Sequence, residues 1–320
     1  MKLKQDDKIL LLGLIFFISV LFGVSCGSIK IPLSQLFDDA NKQILFLRVL
    51  RVLLAAVVGA GLGVSGVILQ SILKNPLADP YLLGTSSGAG LGAVLAVIAG
   101  MASSLVPFVA FLGALGSMIL VYSIAKEQNK IPVQSLVLSG VIVAVAFSGI
   151  IVFLVSVSPN EALHGMMWWL LGSLQNYDVK LLIIIFFIVA LGIMGTFIFS
   201  HDLNAISLGE EHALHLGIDV ELTKKFLLLI TSFMTGAIVS VSGMIGFVGL
   251  IVPHIMRLYT GPNHKMLIPS TCLGAAAFLV FCDTLARSLF PPVEIPIGVI
   301  TSLVGAPVFI ILLKQKRRVN

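Results

Sequence analysis

Long apolar runs, broken by charged, proline or glycine positions, divide the 320-residue chain into ten stretches near 9–26, 48–72, 83–101, 105–125, 133–157, 181–200, 226–243, 245–258, 267–286 and 296–313. Most approach the roughly 20 apolar residues with which an α-helix crosses the hydrocarbon core of a bilayer. The runs are continuous and do not alternate apolar with polar, so they predict helices and exclude an outer-membrane barrel. The run from Phe226 to Met256 is too long for one helix, which at 1.5 Å per residue would reach about 46 Å against a core of about 30 Å. It is expected to break at Gly243 and Gly246, leaving a short eighth span that carries Pro253 and some irregular backbone shielded by protein. The expected fold is an all-α polytopic membrane protein of about ten transmembrane helices, with residues 1–320 as a single domain.

Composition sharpens this. Hydrophobic residues make up 58% of the chain and charged residues 11%, where soluble domains carry roughly 25% charged residues. A soluble globular enzyme is excluded. The net charge of +5 does not point to nucleic acid, because the basic residues sit singly or in pairs between apolar runs. With ten spans both termini lie on one side, and that side carries 14 Lys and Arg against six opposite, which predicts cytoplasmic termini. Cys26, Cys272 and Cys282 have no metal-ligand spacing, and no metal site is expected. Lys2, Lys4 and Lys8 ahead of an apolar run that ends Val24-Ser25-Cys26-Gly27 faintly resemble a lipoprotein signal. Gly23 and the acidic Asp6 and Asp7 favour a retained first span.

Gly61-Leu62-Gly63-Val64-Ser65-Gly66 has the letters of a dinucleotide fingerprint but lies inside an apolar span. Gly59, Gly63 and Gly66, like Gly88 and Gly92, are read instead as places where helix backbones approach closely. Val64-Ser65-Gly66 with Pro76 is echoed by Val241-Ser242-Gly243 with Pro253, in spans of opposite direction. That suggests an inverted repeat of spans two to five and seven to ten, with a pathway at the repeat interface. No GxxxxGK[ST] is present, so no ATP and Mg site of the P-loop type is expected in this chain, and any ATP must be used by a partner.

Several candidates carry two readings. Asn75-Pro76-Leu77-Ala78-Asp79-Pro80 is a plain connection or a gate. In the segment 201–225, Ser207-Leu208-Gly209-Glu210 has capping-box spacing for a short helix through Ala213 to Leu216. Its Leu214 and Leu216 seek a groove on another protein, or the helix lies on lipid. Arg48 and Arg51, one turn apart at the outer mouth of span two, and Arg287 at the end of span nine, would hold lipid phosphates or the carboxylates of a docking protein. Asp283, inside span nine, is expected to pair with Arg287 four residues on. Trp168 and Trp169 fit an interface belt or a substrate-stacking surface. His212 and His215 share a loop helix but have no third ligand.

Arg48-Val49-Leu50-Arg51 through Gly66, Asn75 to Pro80, Leu83-Gly84-Thr85-Ser86-Ser87-Gly88-Ala89, Trp169 to Ser173, Leu208-Gly209-Glu210-Glu211-His212-Ala213 with Leu216-Gly217, Gly246 to His254, Asp283, Ala286-Arg287, Glu294 to Gly298 and Gly305-Ala306-Pro307 together resemble the FecCD-type permeases of ABC importers for iron chelates (siderophore or haem) and cobalamin. The match runs from about 45 to 313. The resemblance implies a type II ABC importer permease fold in a bacterial cytoplasmic membrane. Its partners would be a second permease subunit, in a homo- or heterodimer, two ATPase subunits that bind ATP and Mg, and an extracytoplasmic binding protein. It further implies a ferric siderophore as first-choice cargo, with haem and cobalamin as alternatives. Residues 204–220, with Ser207, Leu208, Gly209, Glu210, Glu211, Ala213, Leu214 and Gly217, would couple to the ATPase. Arg48, Arg51 and Arg287 would meet acidic residues of the binding protein. Arg48 is followed by Val-Leu where the family usually has Leu-Pro, so the local backbone there is expected to differ. An ion-driven secondary transporter is the rival, but it would place ionisable residues near the midplane.

Overall fold

The computed structural model describes residues 4–29, 31–32, 35, 38–128 and 131–319. Lys2, Lys30 and Lys130, which enter the charge bias, lie outside them. Thirteen α-helices follow in order among the described residues: α1 Gln5–Ser25, α2 Lys42–Ile72, α3 Thr85–Ile98, α4 Val106–Ala125, α5 Val133–Ser156, α6 Asn160–Leu170, α7 Val179–Ile198, α8 Ser200–Leu208, α9 Glu210–His215, α10 Val220–Ser242, α11 Val248–Thr260, α12 His264–Ser288 and α13 Ile297–Val319. Each of the ten expected spans is a helix, and no β-strand occurs among the described residues. Of the three additional helices, α6 and α8 replace segments read from the sequence as loops, and α9 is the short helix expected within 201–225. Two spans are longer at their starts than expected: α2 begins at Lys42 and α10 at Val220.

The bundle is organised around α2. From Val58 to Ile72 almost every residue is buried, because small residues let neighbours close on it from several sides. A Cβ on Gly59 would overlap the Ala275 carbonyl of α12, and one on Gly63 would stand 2.6 Å from the Ala275 side chain. A Cβ on Gly66 would overlap the Gly249 carbonyl of α11. The close approaches expected from Gly59, Gly63 and Gly66 are therefore present, with α12 and α11 as the partners. Gly88 and Gly92 do the same for α3 against the backbone of α4. Such contacts let dispersion act over whole helix faces where lipid offers no hydrophobic drive for association.

The break expected at Gly243 and Gly246 is present as well. Residues 243–247 are non-helical, with positive φ at Gly243 (65°) and Phe247 (71°), and α11 is a 13-residue helix with Pro253 buried inside it. A second irregular segment, 73–84, precedes the short α3, and it ends at Gly84 with φ 72°. The Leu82 carbonyl abuts Gly140 in α5 and the Gly84 carbonyl accepts from Ser117 of α4, so α3 starts within the bundle. Two short helices, one in each half and each preceded by a shielded irregular segment, are what an inverted repeat produces.

Candidate functional site

At one end of the bundle, three helices and three loops meet on a buried ionic network. Asp283 of α12 is fully buried. It receives Arg51 Nε at 2.9 Å and faces Arg287 Nε at 3.3 Å, so the expected Asp283–Arg287 pair is present but shared. Arg51 Nη1 reaches Glu294 Oε2 at 2.7 Å, and Gln175 Nε2 donates to the same oxygen at 2.6 Å. Burial alone would raise the Glu294 carboxyl, but the Arg51 guanidinium and its hydrogen bonds hold it below the usual carboxylate range. Arg48 donates to the carbonyls of Val24, Ser25 and Ile29, and Arg287 donates to that of Gly23. These are orphan carbonyls at and beyond the C-terminus of α1, a helix with no basic residue in its last turn, and cations there also favour the helix dipole.

The outer-rim geometry expected for Arg48, Arg51 and Arg287 is thus corrected. All three are buried, at 6%, 5% and 2% exposure, because α2 starts two turns before Arg48 and because α1 and the segment 289–296 close over them. Glu294 and Gln175, in separate loops, complete the network, and residue order does not pair either with Arg51. A Glu within a proline-flanked turn after Arg287 was the only available signal.

Beside the network lies a cavity of about 780 Å³, lined in part by His164, Trp168, Trp169, Gln175, Tyr177 and Asp178. Trp168 and Trp169 are on α6 rather than in a loop, and Trp168 stacks on His164 with centroids 5.7 Å apart. The wall is fixed by a backbone knot: Ser173 N–H donates to Ser242 O, and Ile297 and Gly298 N–H donate to Gly172 and Leu171 O. Gly172, at φ 81°, and Gly243 allow this crossing, since a Cβ on Gly243 would overlap the Trp169 carbonyl.

Inside the bundle the irregular segments satisfy one another. The Tyr81 hydroxyl donates to Ile245 O and accepts from Ile245 N–H, both at 3.0 Å, on a residue that is 1% exposed. One side chain thereby replaces both backbone bonds that a helix would have supplied. Pro253 lacks the N–H that would bond Gly249 O, and Gln70 Nε2 lies 3.4 Å from that oxygen and 3.0 Å from Leu250 O. Asn75 Oδ1 accepts from Leu77 N–H and Asp79 Oδ1 from Tyr81 N–H, so Asn75 and Pro76 belong to an ordered turn. Burial raises the Asp79 carboxyl to about 6, against the lowering effect of that hydrogen bond.

At the opposite end, α8 and α9 carry the segment expected to couple. The capping box is not formed. Ser207 lies in the last turn of α8 with its hydroxyl donating back to Leu203 O at 2.7 Å, and Gly209 is the helix junction. Helix α9 therefore runs from Glu210 to His215, starting two residues later than a cap at Ser207 implies and stopping one residue short of Leu216, and the turn closes on Gly217 at φ 79°. Ile218 N–H bonds Ala213 O and Gly217 N–H bonds Leu214 O, a Schellman closure in which Ile218 packs with buried Ala213. Leu208, Leu214 and Leu216 are exposed, at 77%, 59% and 56%, beside exposed Glu211. Glu210 is instead held at 2.8 Å by Lys224, a nearly buried lysine that the sequence reading did not single out. His212 and His215 are exposed, and among the described residues no three His, Cys, Asp or Glu are grouped to hold a metal.

The family model for the FecCD transport family matches residues 11–315. The chain is 41% identical, over 84% of its length and 73% of the relative's, to the cobalamin import system permease protein BtuC of Halobacterium salinarum. It is 35% identical over 96% of both chains to the hemin transport system permease protein HmuU of Yersinia pestis. A solved structure described as an inward-facing conformation of a metal-chelate type ABC transporter superposes with a TM-score of 0.88, at 32% identity, over 97% of this chain and 99% of that one.

Proposed function

The chain belongs to the FecCD transport family, and on that premise we propose that it is the permease subunit of an ATP-driven importer that moves a ferric siderophore across a bacterial cytoplasmic membrane, both termini facing the cytoplasm. The observation that carries the reading is α8–α9: exposed Leu208 at the end of α8, and exposed Leu214, Leu216 and Glu211 on the turn of helix that follows, all outside the expected spans. A chain without a phosphate cradle needs such a surface to receive work done by a separate ATPase. The partners are a second permease subunit, two ATPase subunits holding ATP and Mg, and an extracytoplasmic binding protein. The binding protein docks on the Asp283 end, where Arg48, Arg51 and Arg287 brace the surface from within. Transport proceeds by alternating access, with rocking helices exposing the pathway to one side at a time.

Likeness to a metal-chelate transporter supports the siderophore, and likeness to haem and cobalamin permeases keeps those cargoes as the second reading. A secondary transporter is disfavoured because Asp283, buried within a span, is neutralised by two arginines and is not poised to carry protons. The test is uptake by cells lacking or regaining the gene, offered radiolabelled ferric siderophores, haem and cobalamin separately. Loss of siderophore uptake alone supports the proposal; lost cobalamin or haem uptake with siderophore uptake retained transfers the machine to that cargo; no loss of any overturns it.

A further inference from the structure

Beside the apolar packing of Leu203 against α2 and α12, a chain of polar contacts, half-buried at Asn204 and buried at His264 and Ser71, joins the coupling segment to the central helix α2. Asn204, on α8, accepts at Oδ1 from the backbone N–H of His264 at 2.9 Å, and the same oxygen lies 2.7 Å from His264 Nδ1. Its Nδ2 donates to Asn263 Oδ1 at 3.2 Å, and that oxygen also caps α12 by accepting from Lys265 N–H. His264 is 2% exposed, and its Nε2 lies 2.6 Å from Ser71 Oγ in the last turn of α2. Because Asn204 Oδ1 only accepts, Nδ1 carries the ring hydrogen, and in the neutral imidazole the single Ser71 hydroxyl hydrogen is shared between Nε2 and the Val67 carbonyl, which lies 2.7 Å from the same oxygen. The residue before Ser71 is Gln70, whose amide holds the Leu250 carbonyl at the start of α11.

We infer that Asn204, His264 and Ser71 form the relay that transmits movement of the α8–α9 segment to α2 and α12, and through Gln70 to α11. This rests on the importer reading. Apolar contacts have no preferred direction and let helices slide, whereas hydrogen bonds are lost steeply once a donor departs from its acceptor by a few tenths of an ångström. The three residues are positioning residues: they touch neither cargo nor nucleotide, and their effect is to make α8, α12 and α2 move as one body.

The test uses the assembled transporter with its ATPase and binding protein in liposomes, and a radiolabelled ferric hydroxamate as probe. Asn204→Leu removes every bond that Asn204 makes, and so cuts the relay at its α8 end, at nearly constant size, whereas Asn204→Asp keeps the accepting oxygen. The Leu variant is expected to keep ATP hydrolysis near the wild-type rate while ferric hydroxamate moved per ATP falls about tenfold, and the Asp variant to recover most of it. An unchanged ratio in the Leu variant overturns the relay, as does a parallel fall of hydrolysis and transport with a lower melting temperature. A second measurement does not depend on transport. In the purified chain, melting-temperature shifts of Asn204→Leu and Ser71→Ala are non-additive, because one imidazole bridges them; additive shifts overturn the relay. Failure of the wild-type transporter to take up any chelate would overturn the importer reading and leave this second result standing.

Discussion

Replacing Asp283 by Asn isolates the ionic network. Asparagine keeps the shape of the carboxylate and one accepting oxygen, but removes the charge that Arg51 approaches at 2.9 Å and Arg287 at 3.3 Å. Unit charges about 4 Å apart attract by about 4 kcal/mol at an effective dielectric of 20, and that gross figure is offset by what both ions lose on leaving water. Removing one partner leaves the desolvation cost without the attraction, and buried pairs broken in this way cost about 3–5 kcal/mol. The lower end applies here, because Arg51 retains Glu294 at 2.7 Å and Arg287 retains the Gly23 carbonyl. At roughly 2–4 °C per kcal/mol, the detergent-solubilised chain should melt about 10 °C below wild type. Asp283→Leu combined with Arg287→Leu removes both charges and fills the space, and should recover most of the loss, since apolar replacement of a buried pair is often neutral. The assay is a thermal melt of purified wild-type, single and double variants. A single variant within about 2 °C of wild type, or a double variant no better than the single, refutes the reasoning. On the same grounds, Arg51→Glu with Arg287→Glu would gather four carboxylates in a buried site, so such a protein should fail to fold, read as loss of the monodisperse purified chain.

Two further outcomes follow from the loops. Tyr81→Phe removes both hydrogen bonds on buried Ile245; each orphaned group costs about 1–3 kcal/mol, so, with Ile245 buried, its amide should exchange with deuterium at least tenfold faster, and unchanged exchange refutes the role. The Asp79 carboxyl is raised from 3.8 to about 6 in the fold, so its contribution to stability is full below about pH 4 and is lost as pH rises through 6. Asp79→Asn should therefore melt a few degrees higher than wild type at pH 8 and together with it at pH 4. Equal melting at pH 8, or a gap that widens as the pH falls, refutes this.

The ten spans, the break near Gly243 and the tight faces at Gly59, Gly63 and Gly66 were legible from residue order, because they depend on local quantities: length against bilayer thickness, backbone freedom and side-chain size. The short helix near Gly209–Gly217 was half legible. Its sequence has capping-box spacing, yet Ser207 bonds backwards to Leu203 because α7 is followed by a further helix, α8, which already occupies that serine. Three outer arginines read as surface cations, since nothing in residue order says that α1 ends beside residues 48 and 287, with its orphan carbonyls turned to them. The same holds for Tyr81 with Ile245, 164 residues apart, and for Ser71 with His264, 193 apart. Residue order determined which segments form long apolar helices and where backbones touch. Only the tertiary structure decided which buried polar groups satisfy one another, because a hydrogen bond or ion pair requires angles and distances that packing alone sets between distant parts of the chain.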